Sequence, residues 1–222
     1  HRYTLSIATI LLIGYAILLL AGNGYTNDES NILAIGDHYL IGESHLYTKR
    51  PIDPEGLVST IGAIAHTLIG FHCGKLISRT HKTDEKVLQL FLIGFVITAI
   101  GLLFTFALPL NKRIWSPTFV LVTCGLAASL LALFMYIIDI KGKKSWTRFF
   151  LIFGVNPLFL YVGSEVLAIV FGFTGLKTSI YNGISSVMED GCMASATYAI
   201  SFMLLLGAIG YPLWKKKIYI KI

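Results

Sequence analysis

The chain has 222 residues, 55% of them hydrophobic and only 14% charged, with a mean hydropathy of +0.72. A soluble core does not need that much apolar surface, whereas each membrane-spanning helix needs roughly 20 apolar residues in a row, so the composition excludes a soluble protein and accommodates about six spans. The formal net charge of +6 reads as basic flanks that orient a membrane protein rather than as nucleic-acid binding, and three cysteines make no disulfide framework.

The expected fold is an all-α, polytopic transmembrane helix bundle in a single transmembrane domain over residues 1–222. The first span runs from Tyr3 to Gly22, and a polar segment follows from Asn23 to Pro54. Leu57 to Ile77 is the second span, followed by a short basic loop from Ser78 to Lys86. Val87 to Leu108 is the third, closed by Pro109, and a tight connection through Trp115 leads to the fourth, Pro117 to Ile138. A basic loop from Asp139 to Arg148 precedes the fifth, Phe149 to Phe173, which Asn156-Pro157 interrupts; Ala194 to Trp214 is the sixth, ended by Lys215-Lys-Lys217.

Thirteen of the 18 Lys and Arg residues fall on one set of flanks, among them Lys75, Arg79, Lys141, Lys143, Lys144 and Lys215 to Lys217. The positive-inside rule makes that set cytoplasmic, places both termini inside and turns the segment 23–54 outward. Trp115, Trp146 and Trp214 fall at the expected interfaces. The absence of an Asn-x-Ser/Thr sequon points to a bacterial inner membrane. The chain starts at His1 without a signal peptide, so it is expected to be a piece of a longer protein.

The stretch Ile35 to Tyr47, closed by Asp53-Pro-Glu-Gly56, gathers Asp37, His38, Glu43, His45, Tyr47, Asp53 and Glu55 in an otherwise apolar chain. An outward loop this long is often functional. Its apolar residues, Ile32, Leu33, Ile35, Leu40, Ile41 and Leu46, suggest that it folds back onto the bundle, as an ordered cap or as a lid facing a substrate. Asp53 and Glu55 suit the positive end of the following helix, or else face a pocket and bind an amine or hydroxyl. In the second span His66 and Cys73, seven apart, share a face, while the spacing of His66 and His72 does not make them paired ligands, and no metal site is expected. Gly70 and Gly74 form a GxxxG step whose default role is close helix packing. Lys75 and Arg79 either snorkel to headgroups or meet the phosphates of a nucleotide-bearing substrate. Lys112 is an interfacial anchor beside Trp115, or joins Asn111 as a donor at the outer mouth. Asn156 and Glu165 lie within a predicted span, where charge is costly and usually paired or functional; Tyr161 shares a face with Glu165, and Pro157 removes a backbone hydrogen bond and kinks the helix.

Several blocks, in order, resemble the heparan-α-glucosaminide N-acetyltransferase family of membrane acyltransferases. They are Asp37…Gly42…His45-Leu-Tyr47…Asp53-Pro-Glu-Gly56…Gly70…Gly74-Lys75, then Leu108-Pro-Leu-Asn-Lys112 with Trp115, then Gly154…Asn156…Tyr161-Val-Gly163…Glu165-Val166. The resemblance covers nearly the whole chain and corresponds to the family's C-terminal portion. It implies an enzyme that moves an acetyl group from cytoplasmic acetyl-CoA to the amino group of a terminal glucosamine across the membrane. It further implies that Asp37, His45, Tyr47, Asp53 and Glu55 are signature positions facing the amino sugar, that Asn111 and Lys112 donate at the outer mouth, and that Asn156, Tyr161 and Glu165 line the intramembrane path. Lys75 and Arg79 are the candidates for CoA phosphates. The family's catalytic histidine lies in an earlier outward loop with no counterpart here, which leaves this piece incomplete alone and gives it the missing N-terminal spans as a partner. The bilayer and the amino sugar are the other expected partners, with a homodimer as a candidate assembly. The competing readings are a sugar or amphiphile transporter, favoured by the broken fifth helix, and a non-catalytic structural membrane subunit.

Overall fold

Apolar runs of about 20 residues satisfy their own backbone only as helices when no water is at hand. The computed structural model describes residues 3–47, 51–54, 56–188 and 190–220, and is all-helical among them, with no strand. Five helices are long and apolar enough to cross a membrane, or six if one bent pair counts as a span. The protein is an integral, multi-pass membrane protein. Its contacts divide it into two units, residues 1–142 and 143–222.

In the first unit, α1 is Thr4–Ala21, α2 is Ile32–Ile41, α3 is Thr60–Arg79, α4 is Thr83–Phe104 and α5 is Pro117–Met135, which runs on into a wider π turn over Tyr136–Ile140. Helix α3 packs between α1 and α5 through Ala8, Leu12, Ala65, Ile69, Val120 and Cys124. Helix α4 lies along α5, where the two backbones touch. A Cβ on Gly94 would meet the Ser129 nitrogen at 2.7 Å and the Gly125 carbonyl oxygen at 2.8 Å, and one on Gly125 would meet the Gly94 oxygen at 2.7 Å. Small residues are what allow such an approach where lipid removes the hydrophobic drive between helices. The GxxxG step on α3 is not such a seam, because nothing lies within 4 Å of a Cβ on Gly70 or Gly74. Both line instead a cavity of about 240 Å³ between α3 and α5, together with His66, Cys73 and Cys124.

Helix α2 was not apparent from periodicity, since it is only ten residues long and sits inside a polar segment. It starts on Asn31, whose side chain accepts from the Leu33 N–H at 2.8 Å and donates to the Thr26 oxygen at 2.7 Å. It stops at Gly42, whose φ of +83° only glycine adopts at no steric cost. Leu33 and Ile52 then pack onto Tyr15 and Leu19 of α1 and Ile114 of the α4–α5 turn. The described residues of segment 23–54 therefore form a cap with its own apolar floor, and each large side chain buried there contributes about 1.5–3 kcal/mol.

In the second unit, α6 is Thr147–Val155, α7 is Pro157–Phe173, α8 is Leu176–Ser185 and α9 is Gly191–Lys215. Helices α6 and α7 meet at 80°, so the expected interruption at Asn156-Pro157 is a sharp break rather than a kink. Helix α9 receives both: Phe153 of α6 lies against Gly207, and Ile152 and Leu160 lie against Gly210, at 3.0–3.2 Å from where a Cβ would stand. Helix α8, short and amphipathic, joins the two long helices.

Candidate functional site

The cap is built from its floor upward. Asp37 is 2% exposed. Its Oδ1 accepts from the Val58 N–H at 2.9 Å, and its carboxylate also accepts from the Leu57 N–H. Gly56 lies against Oδ2, and a Cβ there would overlap the carboxylate. Asp37 thus ties α2 to the turn that enters α3. Burial pushes its carboxyl above the usual carboxylate range, while the two N–H donors pull the other way. Beside it, the Tyr15 hydroxyl donates to the Ile114 carbonyl, and the Tyr25 hydroxyl is buried without a hydrogen-bond partner among the described residues.

The rim of the cap is different. His45, Tyr47 and Asp53 line one concavity of about 610 Å³ with Ile41, Leu46 and Pro54. Asp53 Oδ2 accepts from the Tyr47 N–H at 3.0 Å, which draws the two sides of the rim together. Tyr47 is 47% exposed. His45 Nδ1 lies 3.2 Å from the Ile41 carbonyl oxygen and 3.1 Å from Ser44 Oγ. Nδ1 donates to the Ile41 carbonyl in the tautomer that protonates it and accepts from the Ser44 hydroxyl in the other. Three of the residues singled out in the sequence thus share one opening, with a base, an aromatic ring and a carboxylate on its wall.

The remaining candidates are placed elsewhere. Glu55 lies outside the described residues. Asn111 shapes the α4–α5 turn: its Oδ1 accepts from the Arg113 N–H at 2.9 Å and its own N–H donates to Ser116 Oγ at 3.0 Å, while Lys112 is exposed. Ser116 then caps α5 by accepting from the Phe119 N–H at 3.2 Å. Lys75 and Arg79 stand on the face of α3 turned away from the α3–α5 cavity, with Lys75 Nζ 5.8 Å from the Phe71 ring centroid. Asn156 is 3% exposed and both ends of its amide are engaged. Its Nδ2 donates to the Ile218 oxygen and its Oδ1 accepts from the Ile220 N–H, each at 2.8 Å. Tyr161 and Glu165 share an exposed face of α7, where Glu165 has no hydrogen bond or ion pair among the described residues. Sequence reasoning left out Glu29, Tyr39 and the tyrosines under the cap; His38 and Glu43 stood in the polar window without an assigned role.

The fold is that of a multi-span helical membrane protein with an ordered polar cap over one end of its first unit. Its sequence is similar to heparan-alpha-glucosaminide N-acetyltransferase of Mus musculus, 29% identical over 204 residues that make up 84% of this chain and 29% of that protein. It is also similar to the protein of the same name from Homo sapiens, 27% identical over 216 residues, or 89% of this chain and 31% of that one. The chain therefore spans less than a third of the length of these relatives. No protein-family model matches it. The similarity supports an acyltransferase-like family.

Proposed function

We propose that the chain is the C-terminal portion of a bacterial inner-membrane acyltransferase that moves an acetyl group from acetyl-CoA to an amino sugar such as a terminal glucosamine, with both termini cytoplasmic and the cap outward. The observation that carries this reading is the convergence of His45, Tyr47 and Asp53 on one open concavity. An amine attacks an acyl carbon only when neutral, so the site needs a group that takes its proton. His45 is the side chain of this concavity suited to that role, through the ring nitrogen that faces neither the Ile41 carbonyl nor Ser44. Asp53 orients the ammonium form and the neighbouring hydroxyls, and Tyr47 offers its ring face to the sugar. Asp37 and the Asn111 turn hold the concavity in place rather than touch the substrate, and Lys112 stands exposed at the outer mouth.

The acyl donor contributes an activated thioester. Lys75 and Arg79, at the basic end of α3, are the side chains in this chain suited to its phosphates, which they meet at the surface and not in the α3–α5 cavity. Tyr161 and Glu165 present the polar face of α7 toward the remaining spans of the full-length protein.

Membranes containing the full-length protein, supplied with labelled acetyl-CoA and glucosamine, test the reading. Acetylated glucosamine that depends on His45 and Asp53 is the expected product. Sugar uptake without acetylation sinks the enzyme and favours transport, a reading that the 80° break beside an exposed Glu165 supports.

A further inference from the structure

The second unit does not run its fifth apolar stretch straight through a bilayer. Helix α7 runs back along α9, with Leu160 against Gly210 and the Phe171 and Phe202 ring centroids 5.9 Å apart. These two helices make the spanning pair. Helix α6 meets α7 at 80°, and its nine residues reach about 14 Å, less than half of a hydrocarbon core of about 30 Å. A helix set across the spanning direction lies in the plane of the bilayer. Its depth follows from what it touches. Phe153 and Ile152 lie against Gly207 and Gly210, which stand about 8–12 Å from the Lys215 end of α9. That is the depth of the boundary between headgroups and acyl chains. The face that α6 leaves open there is apolar, with Phe150 59% and Leu151 48% exposed.

Positive charge collects at both ends of α6. Lys143, Lys144 and Arg148 stand exposed at its start. The Trp146 indole donates to the Lys143 carbonyl at 2.9 Å and the Thr147 hydroxyl to the Lys144 carbonyl at 2.7 Å, which holds both lysines to the first turn. At the other end the chain reverses at Lys217, whose φ is +54°, and Ile218 and Ile220 return to the Asn156 amide. Asn156 follows directly on α6, so this joint sets Lys215, Lys216 and Lys217 beside the end of that helix. Lysines that served only to orient α9 would need no such joint. Residues 140–164 and 191–222 contain no carboxyl side chain, so no acidic neighbour in sequence offsets these six cations. An apolar helix in the membrane plane, cationic at both ends, matches acyl chains on its open face and phosphates around it.

We propose that α6 and the Lys215–Lys217 turn form a docking surface for anionic phospholipid headgroups, on which α6 lies in the membrane plane. The surface lies outside the acyl-transfer chemistry. The purified full-length protein in mixed micelles of equimolar phosphatidylglycerol and phosphatidylcholine tests it, with retained lipid read by native mass spectrometry. Phosphatidylglycerol is retained about tenfold over phosphatidylcholine. Replacing Lys215, Lys216 and Lys217 together by Gln lowers the preference to about twofold or less. Arg at the same three positions keeps it, and Lys177→Gln on α8 leaves it unchanged. Equal retention of the two lipids, or a preference that survives the triple Gln change, overturns the proposal. Complete displacement of phosphatidylglycerol by an equal concentration of coenzyme A also overturns it, because the phosphates held there are then the acyl donor's. Nitroxide labels on Thr147→Cys or Gly154→Cys, in protein reconstituted into phosphatidylglycerol vesicles, measure depth without changing the lysines. An in-plane α6 puts the two labels at the same depth to within about 3 Å, whereas a helix along the bilayer normal separates them by about 10 Å. The larger separation overturns the in-plane surface.

Discussion

The floor and the rim of the cap hold aspartates only 16 positions apart in sequence, Asp37 and Asp53, and use them in opposite ways. On the floor, Asp37 is buried and its carboxylate serves backbone N–H groups. On the rim, Asp53 is half-buried and lines an open concavity. Both carboxylates serve as joints, Asp53 through the Tyr47 N–H, but only Asp53 also faces an open concavity. Asn156 repeats the floor pattern, joining the α6–α7 break to residues 218–220.

The contrast can be broken by substitution. Asp37→Ala takes the carboxylate acceptor from the Val58 and Leu57 N–H groups and unties α2 from the turn into α3, a cost of about 1–3 kcal/mol, read as a lowered unfolding midpoint in detergent. Gly56→Ala drives a methyl into the same carboxylate and costs about 2 kcal/mol by the same measurement. Asn156→Ala removes two hydrogen bonds and costs about 1–2 kcal/mol, seen as faster amide exchange at Ile220. Asp53→Asn shifts stability by no more than about 0.5 kcal/mol, while acetylation falls at least about tenfold. A rim substitution that unfolds the protein, or a floor substitution that spares stability and stops turnover, would reverse the assignment.

A pH series sharpens it further. The folded chain holds the Asp37 proton to higher pH than the unfolded chain does. Its contribution to stability is therefore complete below the ordinary carboxylate value of about 4 and is lost as pH rises through the raised folded value. Asp37→Asn flattens that slope in unfolding midpoints taken upward from about pH 4, whereas Asp53→Asn, which removes a neighbouring negative charge that adds to the rise, weakens it only in part.

Most of the fold was legible because the bilayer imposes a length on every span. The first span, read as Tyr3 to Gly22, is the helix Thr4–Ala21, and the fourth starts at Pro117 as expected, with the structure adding Ser116 as its cap. The second and third are shifted by several residues, Thr60–Arg79 and Thr83–Phe104, because helix ends follow caps and hydrogen bonds rather than hydropathy. Helices α2 and α8 were not legible, being ten residues each and without an apolar run of spanning length. The glycine seam was misplaced: GxxxG at Gly70 looked like packing, yet the contact lies at Gly94 and Gly125, whose partner helix no local pattern names. In the polar window the residue types were informative, but not which of them would be buried. Asp37 and Asp53 look alike in sequence, and only the fold of the cap separates them.

The α4–α5 seam also bears on the order of assembly. Its two helices are neighbours in the chain, joined by the turn that ends at Ser116. Helices α1 and α3 are separated in the chain by the whole cap. Closing a short loop costs less chain entropy than closing a long one, so pairing α4 with α5 costs less than pairing α1 with α3.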